Sequence, residues 1–260
     1  MKRMTLSLAA ALVLLPFLAV ASEKMHNTLS EQEQQDGWIL LFDGSTSGGW
    51  TGTRTEGFPE VGWTIKNGEL VVLPAPGDAN HSGGDIITTQ EFRNFELSLE
   101  FKLAEASNSG IKYFMDPNLL KEKGSALGLE YSILDDAAHP DASQGVAGNR
   151  TQGSLYDLIP AGITLEPAEK EKMNNPVGEW NEARIVVRGR NVQHWLNGIQ
   201  VLDFKRGSPS FRALVANSKY AGKENFGEWK STPILLQDHG DWVAFRNIKI
   251  RELEMSRKKK

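Results

Sequence analysis

Residues 128–136 read GLEYSILDD and decide the fold of this chain, because they set carboxylates at strand spacing inside an apolar run. Side chains alternate between the two faces of a strand, so Glu130, Ser132 and Asp136 would share one face and Tyr131 the other. Only the Tyr131 face is typical of a core. A buried carboxylate needs partners or water, so the Glu130 face is either a functional site or a solvated sheet face.

The composition fits one large domain that is stabilised by burial. The chain has 260 residues, no cysteine and a net charge of −4. This length suits a single all-β domain, and a disulfide framework is excluded. The weak acidic charge gives no indication of a nucleic-acid partner.

The N-terminus has the pattern of a secretory signal peptide. Lys2-Arg3 is basic, residues 6–20 are apolar and residues 19–21 read AVA, a small-residue cleavage pattern. An uncleaved anchor is the alternative, although Pro16 interrupts the apolar stretch. We expect export across the inner membrane to the periplasm or the medium, with no membrane span after cleavage. The predicted divisions are a signal peptide at 1–21, a polar leader at 22–36, one domain at 37–254 and a basic tail at 255–260.

The remaining patterns predict short strands joined by tight turns. Residues 95–103 alternate apolar and polar side chains, and Asn67-Gly68 and Asn197-Gly198 are typical hairpin turns. Residues 232–240 predict a further strand, and the long excursion at 137–179 has no sustained period and predicts a functional loop. The predicted strands do not alternate with helices as they do in βαβ units. The chain is therefore predicted to be all-β, a two-sheet antiparallel jelly-roll sandwich.

Polar side chains on at least four predicted strands could meet in one pocket. Glu130 and His239 have the chemistry for proton transfer, although His239 could equally be a strand-end histidine bonded to a backbone carbonyl. Alternation puts Gln237 on the same face as His239. The wider set of candidates is Glu100, Lys112, Glu130, Asp135, Asp136, Gln237, Asp238, His239 and Arg246.

Cofactor motifs are absent from the sequence. It contains no phosphate-binding glycine loop, no dinucleotide fingerprint and no serine elbow. A divalent ion is an alternative, because Asp135, Asp136, His139 and Asp141 lie close together and offer oxygen and nitrogen ligands. A solvated acidic turn explains the same four residues.

Short motifs along the chain resemble those of the 3-keto-disaccharide hydrolase family, in the right order from Gly37 to Leu253. They include LFDG at 41–44, GDI at 84–86, FELSLEFK at 95–102, NSGI at 108–111, GLEY at 128–131, SLYD at 154–157, EWN at 179–181, WLNG at 195–198, LQDHG at 236–240 and FRNI at 245–248.

The resemblance implies a concanavalin A-like lectin/glucanase fold, secretion to the bacterial envelope, and cleavage of glycosides oxidised to a ketone at C3. It also implies an oxidised saccharide as substrate and an upstream sugar 3-dehydrogenase that supplies it. Ser132 departs from the family, whose members often carry glutamine there. For that chemistry our hypothesis assigns Glu130 or His239 as base or acid and Lys112 or a bound cation as the enolate stabiliser. The sugar-binding groups that it assigns are Asp136, Gln237, Tyr156, Arg246 and Asn108.

Two rival functions remain open from the sequence. The same fold serves lectins, so a carbohydrate-binding module without catalysis is one. An ordinary two-carboxylate glycosidase, using Glu130 with Glu100 or Asp136, is the other.

Overall fold

The computed structural model of the protein describes residues 25–75, 83–118 and 126–254. The predicted signal peptide and basic tail lie outside these residues and stay predictions. Within the described ranges, no helix is both long and apolar enough to cross a membrane.

Antiparallel strands dominate the described residues, which confirms the predicted all-β jelly-roll sandwich. The strands are β1 (Trp38–Leu40), β2 (Trp50–Gly52), β3 (Trp63–Lys66), β4 (Glu69–Val72), β5 (Ile86–Thr88), β6 (Phe95–Leu103), β7 (Asn108–Tyr113), β8 (Leu129–Leu134), β9 (Trp180–Arg188), β10 (Asn191–Leu196), β11 (Ile199–Lys205), β12 (Leu235–Leu236) and β13 (Val243–Glu252). The helices are α1 (Glu31–Gln35), α2 (Pro167–Lys170) and α3 (Pro209–Ala216), with a 3₁₀ helix at Pro140–Ser143.

The strands form two sheets. One has eight strands in the order β11-β10-β9-β6-β13-β4-β3, with β1 also paired to β13. The other has five strands in the order β2-β5-β12-β7-β8. Side chains from both sheets pack into one apolar cluster, which includes Phe101 and Ile185 of the larger sheet and Ile111 and Tyr131 of the smaller. The core therefore lies between two layers, and each sheet has one face turned away from it.

A fully buried histidine joins the two layers. His194 on β10 lies 2.6 Å from the Tyr113 hydroxyl through Nε2, and its Nδ1 lies 3.1 Å from the Gly153 carbonyl oxygen. A carbonyl can only accept, so Nδ1 carries the proton and Nε2 accepts from Tyr113. Burial lowers the pKa of His194 to about 3, so the ring is neutral and its role is structural.

The predicted turns are confirmed by their backbone conformations. Asn67 and Gly68 have φ angles of 54° and 76°, and Asn197 and Gly198 have 48° and 78°. Positive φ at both central residues is typical of the type I′ turn, whose twist matches that of the flanking strands.

The strand predicted at 232–240 is much shorter than expected. Only Leu235–Leu236 pairs as a strand, because the carboxylate of Asp238 binds the backbone N–H groups of Gly84 and Gly240 and turns the chain. Gln237 N–H still bonds to β7, and the chain leaves the ladder at Asp238, whose N–H binds the Asp85 carboxylate instead.

The excursion at 137–179 contains no strand and folds back along the free edge of β8. Ser132 N–H donates to the Ser154 carbonyl at 3.1 Å, and Tyr156 N–H donates to the Glu130 carbonyl at 3.0 Å. The loop therefore covers the edge beside Glu130, and its functional role stays a prediction.

The described part of the polar leader is ordered on the domain. Ser30 and Glu33 form a capping box that starts α1. Asn27 exchanges hydrogen bonds with Asn247 at 2.6 and 2.8 Å, which fixes this segment against β13.

Candidate active site

Glu130 and Lys112 face each other on neighbouring strands of the smaller sheet. The β7–β8 register places them directly opposite, and Lys112 Nζ lies 3.5 Å from Glu130 Oε2. Their side chains point away from the core. The adjacent residues Tyr131 and Ile111 point into it, and side chains alternate along a strand. We call this outer face of the five-stranded sheet the site face. The Glu130 side chain is only 6% exposed, so its carboxylate is shielded from water.

Gln237 enters the same face from the next strand. Its N–H donates to the Gly110 carbonyl at 3.0 Å, which continues the β12 register past Leu236. The Gln237 side chain is 5% exposed, and its Oε1 atom is the one buried side-chain oxygen without a hydrogen-bond partner among the described residues. An unsatisfied buried acceptor costs roughly 1–3 kcal/mol, so a donor is expected to bind there.

Gly110 allows these groups to approach one another. A Cβ atom at this position would lie within about 3.0 Å of Oε1 of both Gln237 and Glu130. Because Gly110 has no side chain, both oxygens can pack directly over its backbone.

Asp85 is a site-face residue that sequence reasoning did not select. It precedes β5, and its Oδ1 accepts from Asp238 N–H at 3.0 Å. Burial raises its pKa, whereas the charges of Lys112 and His239 oppose the rise and that of Glu130 adds to it. The registers of β5 with β12 and of β12 with β7 place Asp85 on the same face as Lys112. The sequence signal of Asp85 was its place in the GDI motif at 84–86, directly before a buried isoleucine.

A second wall comes from the loop and from the segment after α3. The Tyr156 hydroxyl donates to Asp141 Oδ2 at 2.5 Å, and Lys219 Nζ lies 3.9 Å from the centre of the Tyr156 ring. Loss of hydration lowers the pKa of Lys219, and Glu130 opposes that shift. Tyr156 thus lies beside Glu130 as a wall residue, with its hydroxyl already bonded to the loop. Lys219 adds a cation that no sequence pattern indicated.

His239 is at the exposed rim. It follows β12 on the same sheet as Glu130, and its charge influences Asp85. The proposed base and acid therefore belong to one layer. The described contacts do not join His239 to Glu130 directly.

Arg246 lies on the other sheet, away from Glu130. Its Nε donates to Glu100 Oε2 at 2.6 Å, and its guanidinium stacks 3.9 Å from the Trp180 ring centre. Both partners are on the outer face of the eight-stranded sheet, which we call the ion-paired face. Alternation predicted that Arg246 points outward but could not assign its sheet, and the structure does not bring Arg246 together with Glu130.

Asp136 and Asn108 are also outside the cluster. Asp136 lies beyond the end of β8 and accepts from Gln152 N–H at 2.7 Å and from Asn174 Nδ2 at 3.3 Å, beside a cavity of about 200 Å³. Burial raises its pKa to about 6. Asn108 lies on the same face of β7 as Lys112 but at the opposite end of the strand, where its N–H donates to Asp241 Oδ2 at 3.0 Å.

The acidic turn at 135–141 is occupied by protein contacts. Asp135 accepts from Ala106 and Ala137 N–H groups, and His139 Nδ1 accepts from Asp141 N–H. Asp141 binds Arg150 and Tyr156. The described residues contain no group of three or more potential ligands arranged around a common point.

Cavity volume alone does not locate the site. A cavity of about 460 Å³ lies between α1 and the ion-paired face, but the groups that line it are satisfied by one another. Lys249 binds Glu33, and Ser98 donates to Glu182 at 3.0 Å.

A sequence profile of the 3-keto-alpha-glucoside-1,2-lyase-like domain matches residues 37–251. The chain belongs to this family. The resemblance drawn from the short motifs is therefore confirmed, and the matched range contains the whole Glu130 cluster.

Relatives of this 3-keto-alpha-glucoside-1,2-lyase-like chain agree in sequence and fold. A Bacteroides thetaiotaomicron protein named 3-keto-disaccharide hydrolase is 35% identical over 243 residues, covering 84% of this chain and 79% of the relative. Two solved structures of candidate glycosyl hydrolases from Parabacteroides distasonis share 27% and 25% identity, with TM-scores of 0.73 and 0.60. They cover 88% and 83% of this chain and 100% and 99% of their own.

Proposed function

We propose that the protein cleaves glycosides whose sugar ring carries a ketone at C3. The observation that carries this proposal is the shielded Glu130 carboxylate, which lies beside the Lys112 ammonium and the unpartnered Gln237 oxygen. Membership of the family and the name of the Bacteroides relative support the substrate class.

The chemistry starts at C2. A C3 ketone acidifies the C2 proton, and Glu130 removes it as a general base. The electron pair moves onto the ketone oxygen, where the positive charge of Lys112 stabilises the enolate. The enolate then re-forms the ketone, creates the C1–C2 double bond and expels the C1 oxygen, which takes a proton.

Water completes the reaction. Its oxygen adds to C1 and a proton returns to C2, which gives the free 3-keto sugar. Glu130, now protonated, or His239 at the rim supplies the proton to the departing oxygen. Lys219 adds a second positive charge near Glu130 and strengthens the stabilisation of the enolate.

The proposal extends to location and supply. The signal peptide predicted at 1–21 places the reaction in the periplasm or outside the cell. Because the substrate must already be oxidised, a sugar 3-dehydrogenase must act before this protein.

The test is incubation of the purified protein with a 3-keto-glucoside and with its unoxidised parent, each with and without chelator. We expect cleavage of the 3-keto-glucoside alone. Binding of both sugars without product would instead identify a lectin-like module, and cleavage of the parent an ordinary glycosidase. Activity that chelator abolishes would assign the stabilising role to a metal ion rather than to Lys112.

A further inference from the structure

Asp85 and Gln237 form a pair of neighbouring acceptors on the site face. Leu236 pairs with Ile86 across β12 and β5, so the next pair in register is Gln237 opposite Asp85. Both Leu236 and Ile86 are fully buried in the core, so Gln237 and Asp85 point the other way. Side chains opposite each other in an antiparallel pair have Cβ atoms roughly 4.5–5.5 Å apart.

Each of the two side chains keeps one oxygen available. Asp85 uses Oδ1 to bind Asp238 N–H, and Oδ2 accepts no hydrogen bond from the described residues. Gln237 Oε1 is buried and unpartnered. Two neighbouring acceptors without donors are complementary to a hydroxyl group, which can donate to one of them while its own oxygen remains exposed.

The order of groups on the face matches the order of atoms in a 3-keto sugar. Lys112 pairs with Glu130 of β8 on one side, and Asp85 lies on the same face on the other side of β7, beyond β12. From β8 through β7 to β5, the sequence is therefore a base, a cation and an acceptor. Ring carbons C2, C3 and C4 present an acidic proton, a ketone oxygen and a hydroxyl in the same order.

We propose that Asp85, together with Gln237, accepts a hydrogen bond from the C4 hydroxyl of the sugar and so selects substrates that carry it. This inference rests on the proposed function, which sets the positions of C2 and C3. Asp85 is thus a specificity-determining residue, separate from the proton transfer at Glu130.

The experiment compares a 3-keto-glucoside with its 4-deoxy analogue. The parent protein should cleave the hydroxylated substrate with at least about tenfold higher kcat/KM, because removing the hydroxyl takes away the donor that these buried acceptors would bind. Asp85→Ala should remove most of this preference by slowing only the hydroxylated substrate. Asp203→Ala, an exposed aspartate on β11, is the matched control and should keep the preference.

Two outcomes would overturn the inference: no preference in the parent, or an equal loss on both substrates in Asp85→Ala. If Asp85→Ala does not fold, Asp85→Asn replaces it in the experiment, because it keeps an oxygen for Asp238 N–H. Asp85→Asn should also reduce the preference for the hydroxylated substrate. If the parent cleaves neither substrate, the proposed function fails. The inference is then tested by calorimetric binding of methyl glucoside and its 4-deoxy analogue to the parent and to Asp85→Ala. It requires that the parent bind methyl glucoside more tightly than the analogue and that Asp85→Ala lose this difference.

Discussion

The two outer faces of the sandwich carry similar side chains but use them differently. On the ion-paired face, Glu96 accepts from Arg184 at 3.1 Å and from Arg251 at 2.6 Å, and Arg246 binds Glu100 at 2.6 Å. On the site face, Lys112 and Glu130 stay 3.5 Å apart, and Gln237 Oε1 has no partner. Charges that satisfy one another stabilise the fold, whereas charges left incompletely paired are available to a ligand.

The largest effect expected from this difference is on catalysis. Glu130→Gln should reduce kcat on a 3-keto-glucoside by about 10²–10⁴-fold, because it removes the proton-accepting group. Glu100→Gln is the matched control on the ion-paired face and should leave kcat unchanged. Initial rates and a far-UV spectrum of each variant check this, and equal rates for Glu130→Gln and the parent would remove Glu130 from the mechanism.

Adding a side chain at Gly110 is expected to have the next largest effect. Gly110→Ala places a methyl group against the Gln237 and Glu130 oxygens and should lower kcat/KM by about 10²-fold through misplacement of both. Gly48→Ala is the control, because its Cβ would meet only Thr46 Oγ1, at 3.4 Å. Steady-state kinetics decide the point, and unchanged kcat/KM in Gly110→Ala would show that the substrate does not bind there.

The ion-paired face should respond in stability rather than activity. Glu96→Gln leaves Arg184 and Arg251 without their charged acceptor and should lower the free energy of unfolding by about 1.5–3 kcal/mol. The exposed Glu105→Gln should change it by less than about 0.5 kcal/mol. Urea unfolding measures both, and a loss of activity in folded Glu96→Gln would contradict the division between the faces.

Substitution of Asp136 is expected to have the smallest effect, a change in stability that depends on pH. Its pKa of about 6 in the folded state exceeds the ordinary 3.8, so the folded state binds the proton more tightly and loses stability as the pH rises through this window. Asp136→Asn avoids that loss, so its free energy of unfolding relative to that of the parent should rise by about 1–2 kcal/mol between pH 4 and pH 7. This gain is smaller than the full pKa shift implies, because the side chain is partly exposed. Unfolding curves across this range test it, and a difference that does not vary with pH would refute the assignment.

Local patterns in the sequence were sufficient for the fold and for half of the site. Alternation identified the faces of β6 and β8, and Asn-Gly pairs fixed two hairpins. Glu130, Lys112 and Gln237 could be chosen because each is a polar residue in an apolar strand pattern. The shared face of Lys112 and Glu130 follows from the β7–β8 register.

The rest depended on which strands pair over long separations. Alternation gives the face of a side chain but not its sheet, so it could not show that Arg246 lies on the other sheet from Glu130. Asp136 was misplaced because β8 ends at Leu134. Asp85 and Lys219 were missed because their proximity to Glu130 arises from chain segments that are far apart in sequence.

The most direct test of the central claim is cleavage of a 3-keto-glucoside in D₂O, with the product followed by NMR at early times against an enzyme-free control. Proton removal by Glu130 predicts deuterium at C2 of the released 3-keto sugar, formed by the parent and by Glu100→Gln but not by Glu130→Gln. Product that retains its original C2 proton would contradict the account, because the glycosidic bond would then break without an enolate.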